Sequence, residues 1–426
     1  MIQSEKTQIP VGPPDRYSQN EDLRTWLHDN FKRYGDIYKA SIFGRDVYVV
    51  SSPEFVQHVL RTNWSNYRKG QWIKRVGLLL GNGLMVSEGE FWKGQRRMIQ
   101  PAFRREVAGT LYNVIRKAND TLLEKWEKAA EQEEAVNVTR DASLMALEVV
   151  LRAVFGVDYG QVAPNFSILS GNPVRDFAFA QAFVHSKQVA AKVIDQRRKG
   201  NIGDTDILGT LMEVRDRSGQ TMPDDQLVTE IITIIVAGHE TTASTLNFLW
   251  YLLSQHPKIE ERLSAELTNV SSGEPPKLED LRKFTYTSKV IDETMRLFPP
   301  GWLLTRRALK DDQIGKYFVP AGTEIYISPY IIQRHPDIWD DPDSFNPNRF
   351  DLDKLKGTQE LAMFPFSAGP RNCIGEYFAN TEMQIHLITI AKQLRLRYSG
   401  SASPELEADV NLRSKYDLIM YPKVRI

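Results

Sequence analysis

Phe366-Ser367-Ala368-Gly369-Pro370-Arg371-Asn372-Cys373-Ile374-Gly375 holds the only cysteine of the 426-residue chain and runs directly into EYFANTEMQIHLITIAKQL, a segment of helical pattern. A thiol at the start of a helix meets the positive end of the helix dipole and the free N–H groups of the first turn, both of which favour the thiolate. Gly369 and Gly375 let backbone come close to the sulfur, Arg371 brings positive charge, and Phe366 can pack over the loop. These are the needs of a metal-bound thiolate. Two other readings compete at this point. An isolated cysteine is more often a small buried hydrophobe. A nucleophilic cysteine needs a histidine partner in a recognisable local context, which none of the seven histidines has.

Outside the loop, a content of 42% hydrophobic and 25% charged residues excludes disordered, collagen-like and disulfide-scaffold classes. The 54 Lys+Arg balance 54 Asp+Glu, so no global charge draws the chain to nucleic acid or to an anionic membrane. One cysteine permits no internal disulfide, which fits a reducing, cytoplasmic setting. The first 26 residues lack the positive stretch and apolar run of a secretory signal. The most apolar stretch, 227–253, is broken by Glu230, His239 and Glu240 and falls short of the roughly 18 apolar residues of a spanning helix. Neither signal nor membrane anchor is expected, and 227–253 reads as a long buried helix.

The remaining pattern gives a mainly α fold with a small β region. LRTWLHDNFKRYGDIY is amphipathic; YKASIFG and RDVYVVSS read as two strands joined at a glycine turn. From 54 to about 270 the periodicity is almost wholly helical, except for 158–173, whose Gly, Pro, Asn and Ser predict a loop and a candidate flexible lid. KLEDLRKFTYTSKVIDETMRLFPP reads as a helix ended by a Pro pair, after which short strands return. With no repeat and no low-complexity linker, one domain over 1–426 is expected, its β part formed by about 35–52 and 301–330.

Within the long helix, Ala237-Gly238-His239-Glu240-Thr241-Thr242 places a glycine and a polar run where both are unfavourable, a violation that usually marks a site. Threonine hydroxyls there can bond back to a carbonyl and open the helix. Glu240 and Thr241 make an acid–alcohol pair suited to proton delivery. Ala237 lies one turn before Thr241 on the same face. A kinked helix with back-bonded threonines is the plainer alternative.

The pattern F-x-x-G-x-R-x-C-x-G together with A-G-x-E-T-T resembles the cytochrome P450 family, the haem-thiolate monooxygenases. The resemblance covers essentially the whole chain, from YGDIYKASIFGRDVYVVSSPE to LRSKYDLIMYP. It implies the P450 fold, one haem b with Cys373 as its axial ligand, and O2 as co-substrate, Glu240 and Thr241 serving oxygen activation and Ala237 abutting haem and substrate. It implies that Trp92 and Arg96, Arg306 and Arg371 hold the haem propionates, and that Phe366, Gly369 and Gly375 shape the loop. Glu293, Arg296 and Arg349 would form a buried structural cluster, with Asn348 standing where the family more usually has Glu. Between Phe155 and Asp206 the chain is shorter than the family often is, so a reduced pocket roof over 156–205 is expected.

Substrate contacts are expected from Trp72, Val76, Leu79, Thr233, Ala237, Trp302, Leu303, Leu304 and Tyr416, mostly apolar as ligand pockets are. The resemblance implies hydroxylation of an apolar substrate of fatty-acid, terpenoid or polyketide type. No flavin, nucleotide or iron–sulfur signature is present, so NAD(P)H electrons would arrive through a ferredoxin and its reductase, or a flavodoxin-type donor. A peroxide-driven enzyme, a non-redox haem-thiolate enzyme and a haem-based sensor are the alternatives.

Overall fold

The computed structural model describes residues 7, 9–13, 16–18, 21–174, 177–200, 206–270, 276–351, 355 and 357–425. The chain forms two compact units, 1–78 with 295–373 and 407–413, and 79–294 with 374–406 and 414–426.

The first unit opens with helix α1 (Leu23–Tyr34), started by Asp22, whose carboxylate accepts the N–H groups of Arg24 and Thr25. Strands β1 (Ile37–Ile42) and β2 (Arg45–Val50) pair antiparallel across a turn in which Phe43 and Gly44 both have positive φ. Helix α2 (Pro53–Gln57) runs into a π-turn (His58–Thr62), then β3 (Tyr67–Lys69) and α3 (Gln71–Leu80), whose last two residues belong to the second unit.

Most of the second unit is helical: α4 (Gly89–Ile99), α5 (Arg105–Glu131), α6 (Val138–Phe155), α7 (Tyr159–Phe166), α8 (Phe177–Gly200), α9 (Ile207–Glu213), α10 (Asp224–Gln255), α11 (Pro257–Val270) and α12 (Thr285–Leu297). The short strand β4 (Val136–Asn137) precedes α6. The 32-residue α10 is apolar on nearly every side, as Leu227, Ile231, Ile235, Leu246, Phe248 and Leu249 are all buried. Asp224 and Asp225 favour its positive end, and the chain turns out of it at His256-Pro257.

The predicted loop over 158–173 is instead largely helix α7 and a 3-10 turn (Ser167–Leu169). Gly160, Pro164 and Asn165 are poor helix formers, but burial of Val162 and Phe166 outweighs that preference. The predicted helix ending at the Pro pair is also split, into a 3-10 turn (Leu278–Lys283) and α12. Of the expected short roof over 156–205, positions 175, 176 and 201–205 lie outside the described residues.

From Met295, in the last turn of α12, the chain is back in the first unit, which continues with β5 (Leu304–Ala308), β6 (Asp312–Ile314), β7 (Tyr317–Val319), β8 (Glu324–Ile327), α13 (Pro329–Ile332) and α14 (Thr358–Ala362). Its main sheet has the order β1-β2-β8-β5-β3, and β2–β8 is the parallel pair within it. Under the sheet, Val50, Tyr67, Ile325, Ile327, Trp339 and Phe364 form a closed core. The second unit ends with α15 (Glu376–Gln393), β9 (Leu394–Tyr398) and β12 (Ile419–Val424), and β12 pairs with both β4 and β9. Between β9 and β12 lie β10 (Leu406–Ala408) and β11 (Leu412–Ser414). Among the described residues no helix is long and apolar enough to cross a membrane.

Candidate functional site

In the first unit the cysteine loop is a tight backbone structure. Cys373 N–H donates to Phe366 O at 2.8 Å, Ser367 N–H to Phe364 O at 2.9 Å, and Asn372 N–H to Gly369 O at 3.0 Å. Ser367 has φ 63° and Gly369 φ 73°. The first is a left-handed conformation that a serine adopts only where the surroundings impose it. Ser367 was not singled out in the sequence, and its buried Oγ has no hydrogen-bond partner among the described residues. A Cβ on Gly369 would overlap the carbonyl oxygen of Leu60, so the loop rests directly on the π-turn backbone. Arg371 lies 5.8 Å from the Trp64 ring centroid. The Cys373 side chain is exposed, which rules out the buried-hydrophobe reading. It lies two residues ahead of Gly375, the N-cap of α15, so the loop geometry and not the first helical turn presents the sulfur.

Glu293 and Arg296 are both 0% exposed. In the first unit, Arg296 donates to the carbonyls of Gln333 and Pro342, each at 2.7 Å, and of Ser344 at 3.1 Å. The Gln333 amide returns to Met295 O and Arg296 O, while its Oε1 accepts the N–H of Phe364 at 3.4 Å. This is the route from the E-x-x-R helix to the cysteine loop. Arg349 holds the carbonyls of Asp340 and Asp341 and the Ser344 hydroxyl. Arg306 is buried on β5 and donates to Thr305 O at 2.9 Å.

In the second unit, the middle of α10 departs from its surroundings. Ala237 is exposed and Gly238, Glu240 and Thr241 are partly so, whereas the helix on either side is buried. Thr241 Oγ1 donates to Ala237 O at 2.9 Å, which leaves the hydroxyl oxygen as an acceptor on the open face. The expected back-bonding is present, but α10 runs unbroken from 224 to 255. Gly238 has a packing reason: a Cβ there would lie 3.3 Å from Val150 of α6. His239 turns away from the open face and is 1% exposed, with Nε2 2.8 Å from Ser143 Oγ. Burial lowers its pKa to about 4, so the imidazole is neutral near pH 7. Trp92 is buried and Arg96 half-buried, one turn apart on α4.

Among the expected substrate contacts, Val76, Leu79 and Leu304 are partly exposed and Leu303 is buried. Leu304 packs on the core of the first unit. Three others have different surroundings. Trp302 is 0% exposed and its indole N–H donates to Asp409 O at 2.8 Å, so it faces no open space. Thr233 is 4% exposed and lies beneath Gly83. Tyr416 is 62% exposed, with the Lys415 ammonium 5.4 Å from its ring, and belongs to the surface. Trp72 stacks on Phe43 at 5.9 Å. A surface cleft of 340 Å³ in the second unit, lined by Leu122, Met145, Leu151 and Tyr159 among others, includes none of the expected residues.

These residues fit a haem. In the first unit the single thiol is exposed, an orphaned serine hydroxyl sits in its loop, and guanidinium groups are partly or fully buried on β5 and in that loop; by itself, the second unit has an open patch on an otherwise buried helix.

The family model for cytochrome P450 matches residues 15–172 and 161–420. Cyclooctat-9-en-7-ol 5-monooxygenase of Streptomyces melanosporofaciens is 31% identical over 85% of this chain and 83% of its own length. Pentalenene oxygenase of Streptomyces avermitilis is 29% identical over 89% of each chain. The crystal structure of the cytochrome P450DA heme domain superposes with a TM-score of 0.86 over 99% of this chain and 98% of its own, at 22% identity. The chain belongs to the cytochrome P450 family, and it is a haem-dependent monooxygenase of apolar organic substrates, drawing NAD(P)H electrons through redox partners.

Proposed function

We propose that Cys373 is the axial ligand of haem b, that Trp92, Arg96, Arg306 and Arg371 hold its propionates, and that Phe366, Gly369 and Gly375 shape the loop around the sulfur. When bound, the haem supplies reductive activation of O2, one oxygen atom entering the substrate and the other leaving as water. The chain's part is to orient and to move protons. Thr241, whose own proton is committed to Ala237 O, offers its oxygen as acceptor on the open face, and Glu240 beside it supplies protons from the partly exposed side. Glu293, Arg296 and Arg349 hold the loop in place, within a single catalytic domain over 1–426. The open patch at Ala237 and Thr241 in an otherwise buried helix is the observation that carries this reading.

Ala237, Val76, Leu79, Leu303 and Leu304 are retained as substrate contacts. The two bacterial relatives are named for an alkenol and an alkene, which supports hydroxylation of an apolar, terpenoid-type substrate. The electron donor is a ferredoxin with its reductase, and the enzyme works in the cytoplasm, in keeping with its single cysteine. The test is reconstitution with NADPH, a ferredoxin and its reductase, screening apolar alkenes and alkenols. Products heavier by one oxygen, labelled from 18O2, are expected. Turnover with hydrogen peroxide but not with the reconstituted chain would favour the peroxide-driven alternative.

A further inference from the structure

In the first unit, the π-turn on which the cysteine loop rests is itself anchored by a buried side-chain cluster. The turn, His58–Thr62, closes with the N–H of Asn63 donating to His58 O at 2.8 Å, the wide i to i+5 bond of that geometry. At its start, His58 Nε2 lies 2.8 Å from Asp312 Oδ2 on β6, and the hydroxyl of Tyr67 on β3 donates to the same oxygen at 2.5 Å. Tyr67 is 1% exposed and the Asp312 side chain 11%. Burial alone would raise the Asp312 carboxyl, but the hydrogen bonds from Tyr67 and His58 bring it below the usual carboxylate range. It is therefore ionised near pH 7, and because a carboxylate only accepts, Nε2 of His58 carries the proton of their bond.

The β6–β7 hairpin also seats α2, which leads into the turn. A Cβ on Gly315 would overlap the Phe55 ring, and the Phe55 and Tyr317 rings meet edge to face at 6.1 Å. Two residues past His58, the Leu60 carbonyl oxygen faces Gly369, where any Cβ would overlap it. Leu60 and Ala368, the neighbour of that glycine, are each 2% exposed and share one core with Val59 and Tyr67. Asp312, His58, the turn and Gly369 thus form a run of contacts that ends in the loop of Cys373.

We propose that Asp312, acting through His58, is a positioning residue for the cysteine ligand: the pair fixes the π-turn, and the Leu60 carbonyl fixes Gly369 and with it the loop that presents the sulfur. This rests on the reading that Cys373 is the axial ligand. Tyr67 holds the carboxylate from the core side, so His58 is tied to a fixed anion and not to a mobile one.

The test compares the holoenzyme with His58→Leu, His58→Gln, Asp312→Leu, the double variant His58→Leu/Asp312→Leu, and Ile42→Ala, a 1% exposed position on β1 outside this run of contacts. Two readouts are used: amide exchange over 59–63 and 367–373, and the rate at which the red-shifted CO band of the reduced protein gives way to the unshifted band of a haem without thiolate. In His58→Leu and Asp312→Leu, both segments are expected to exchange about tenfold faster and the band to decay at least about fivefold faster, as loss of one charge-assisted bond allows. The double variant is expected to match the more affected single one, since the two side chains act as a pair. His58→Gln, whose amide can still donate to Asp312, is expected to stay within about twofold of wild type. Faster exchange over 59–63 with 367–373 and the CO band unchanged would overturn the link to the cysteine. Additive effects in the double variant would overturn the pair. Equal acceleration of band decay in Ile42→Ala would reduce the effect to general stability and overturn the positioning role. Absence of a red-shifted band in the wild-type protein would instead overturn the ligation reading, and exchange over 367–373 would still decide whether Asp312 sets the loop.

Discussion

Arg296 and Arg349 hold Ser344 from two sides, Arg296 donating to its backbone carbonyl at 3.1 Å and Arg349 to its hydroxyl at 2.9 Å. Both also take carbonyls of the same turn, Pro342 for Arg296 and Asp340 and Asp341 for Arg349. A fork of fixed donors suits this task and a lysine does not. Arg349→Lys is expected to lower haem retention during gel filtration and to cost about 1–3 kcal/mol in urea unfolding. Arg296→Lys, at a position with 0% exposure, is expected to cost more. Full haem retention and wild-type stability in both would contradict this account.

Thr241→Ala removes the hydroxyl acceptor on the open face of α10. Product formed per NADPH consumed is expected to fall at least about tenfold, while Thr241→Ser, which keeps the oxygen, stays near wild type. Product yield unchanged in Thr241→Ala would remove the hydroxyl from the mechanism.

Arg197 of α8 is 2% exposed and ties three elements of the second unit, with Nε to Asp158 at 2.7 Å, both Nη atoms to Asp206, and Nη2 to Phe155 O at 2.7 Å. Asp206 in turn caps α9 through Gly209 N–H. Arg197→Met strands a buried carboxylate and is expected to destabilise by about 3–5 kcal/mol in urea unfolding. A loss below 1 kcal/mol would contradict a structural role for this cluster.

Two buried histidines give the protein an acid limit. His386 accepts the Trp250 indole N–H at 2.8 Å and pairs with Asn119 at 2.7 Å, and burial lowers its pKa to about 3. His239 is lowered to about 4. Both pKa values lie below the unfolded value near 6.5, so the unfolded chain binds protons that the folded chain refuses as pH falls from 6.5 toward 4 and 3. Each is expected to remove about 2 kcal/mol of stability between pH 7 and pH 5. Urea midpoints at the two values measure this. His239→Gln is expected to flatten the slope, and an unchanged slope would contradict the assignment.

How much of this was legible in the sequence depended on the range of the forces involved. The cysteine loop, the α10 motif and the buried E-x-x-R helix could be read because a short pattern fixes both residue type and local geometry. The β1–β2 turn was legible through Gly44. Helix α7 was not, since its glycine and proline favour a loop and only burial of Val162 and Phe166 reverses them. Glu230 looked like a break in an apolar run, because its partner Leu84 lies 146 residues away. Thr233, Trp302 and Tyr416 have the right chemistry for a pocket, but which face each presents is decided by tertiary packing. The left-handed Ser367 carries no sequence signal.

The most direct test of thiolate-ligated haem is the CO-bound absorption spectrum of the reduced protein beside that of Cys373→Ala. The expected result is a strongly red-shifted Soret band in the wild-type protein that is lost in the variant. A wild-type protein without haem, or a CO spectrum indifferent to Cys373, would contradict it.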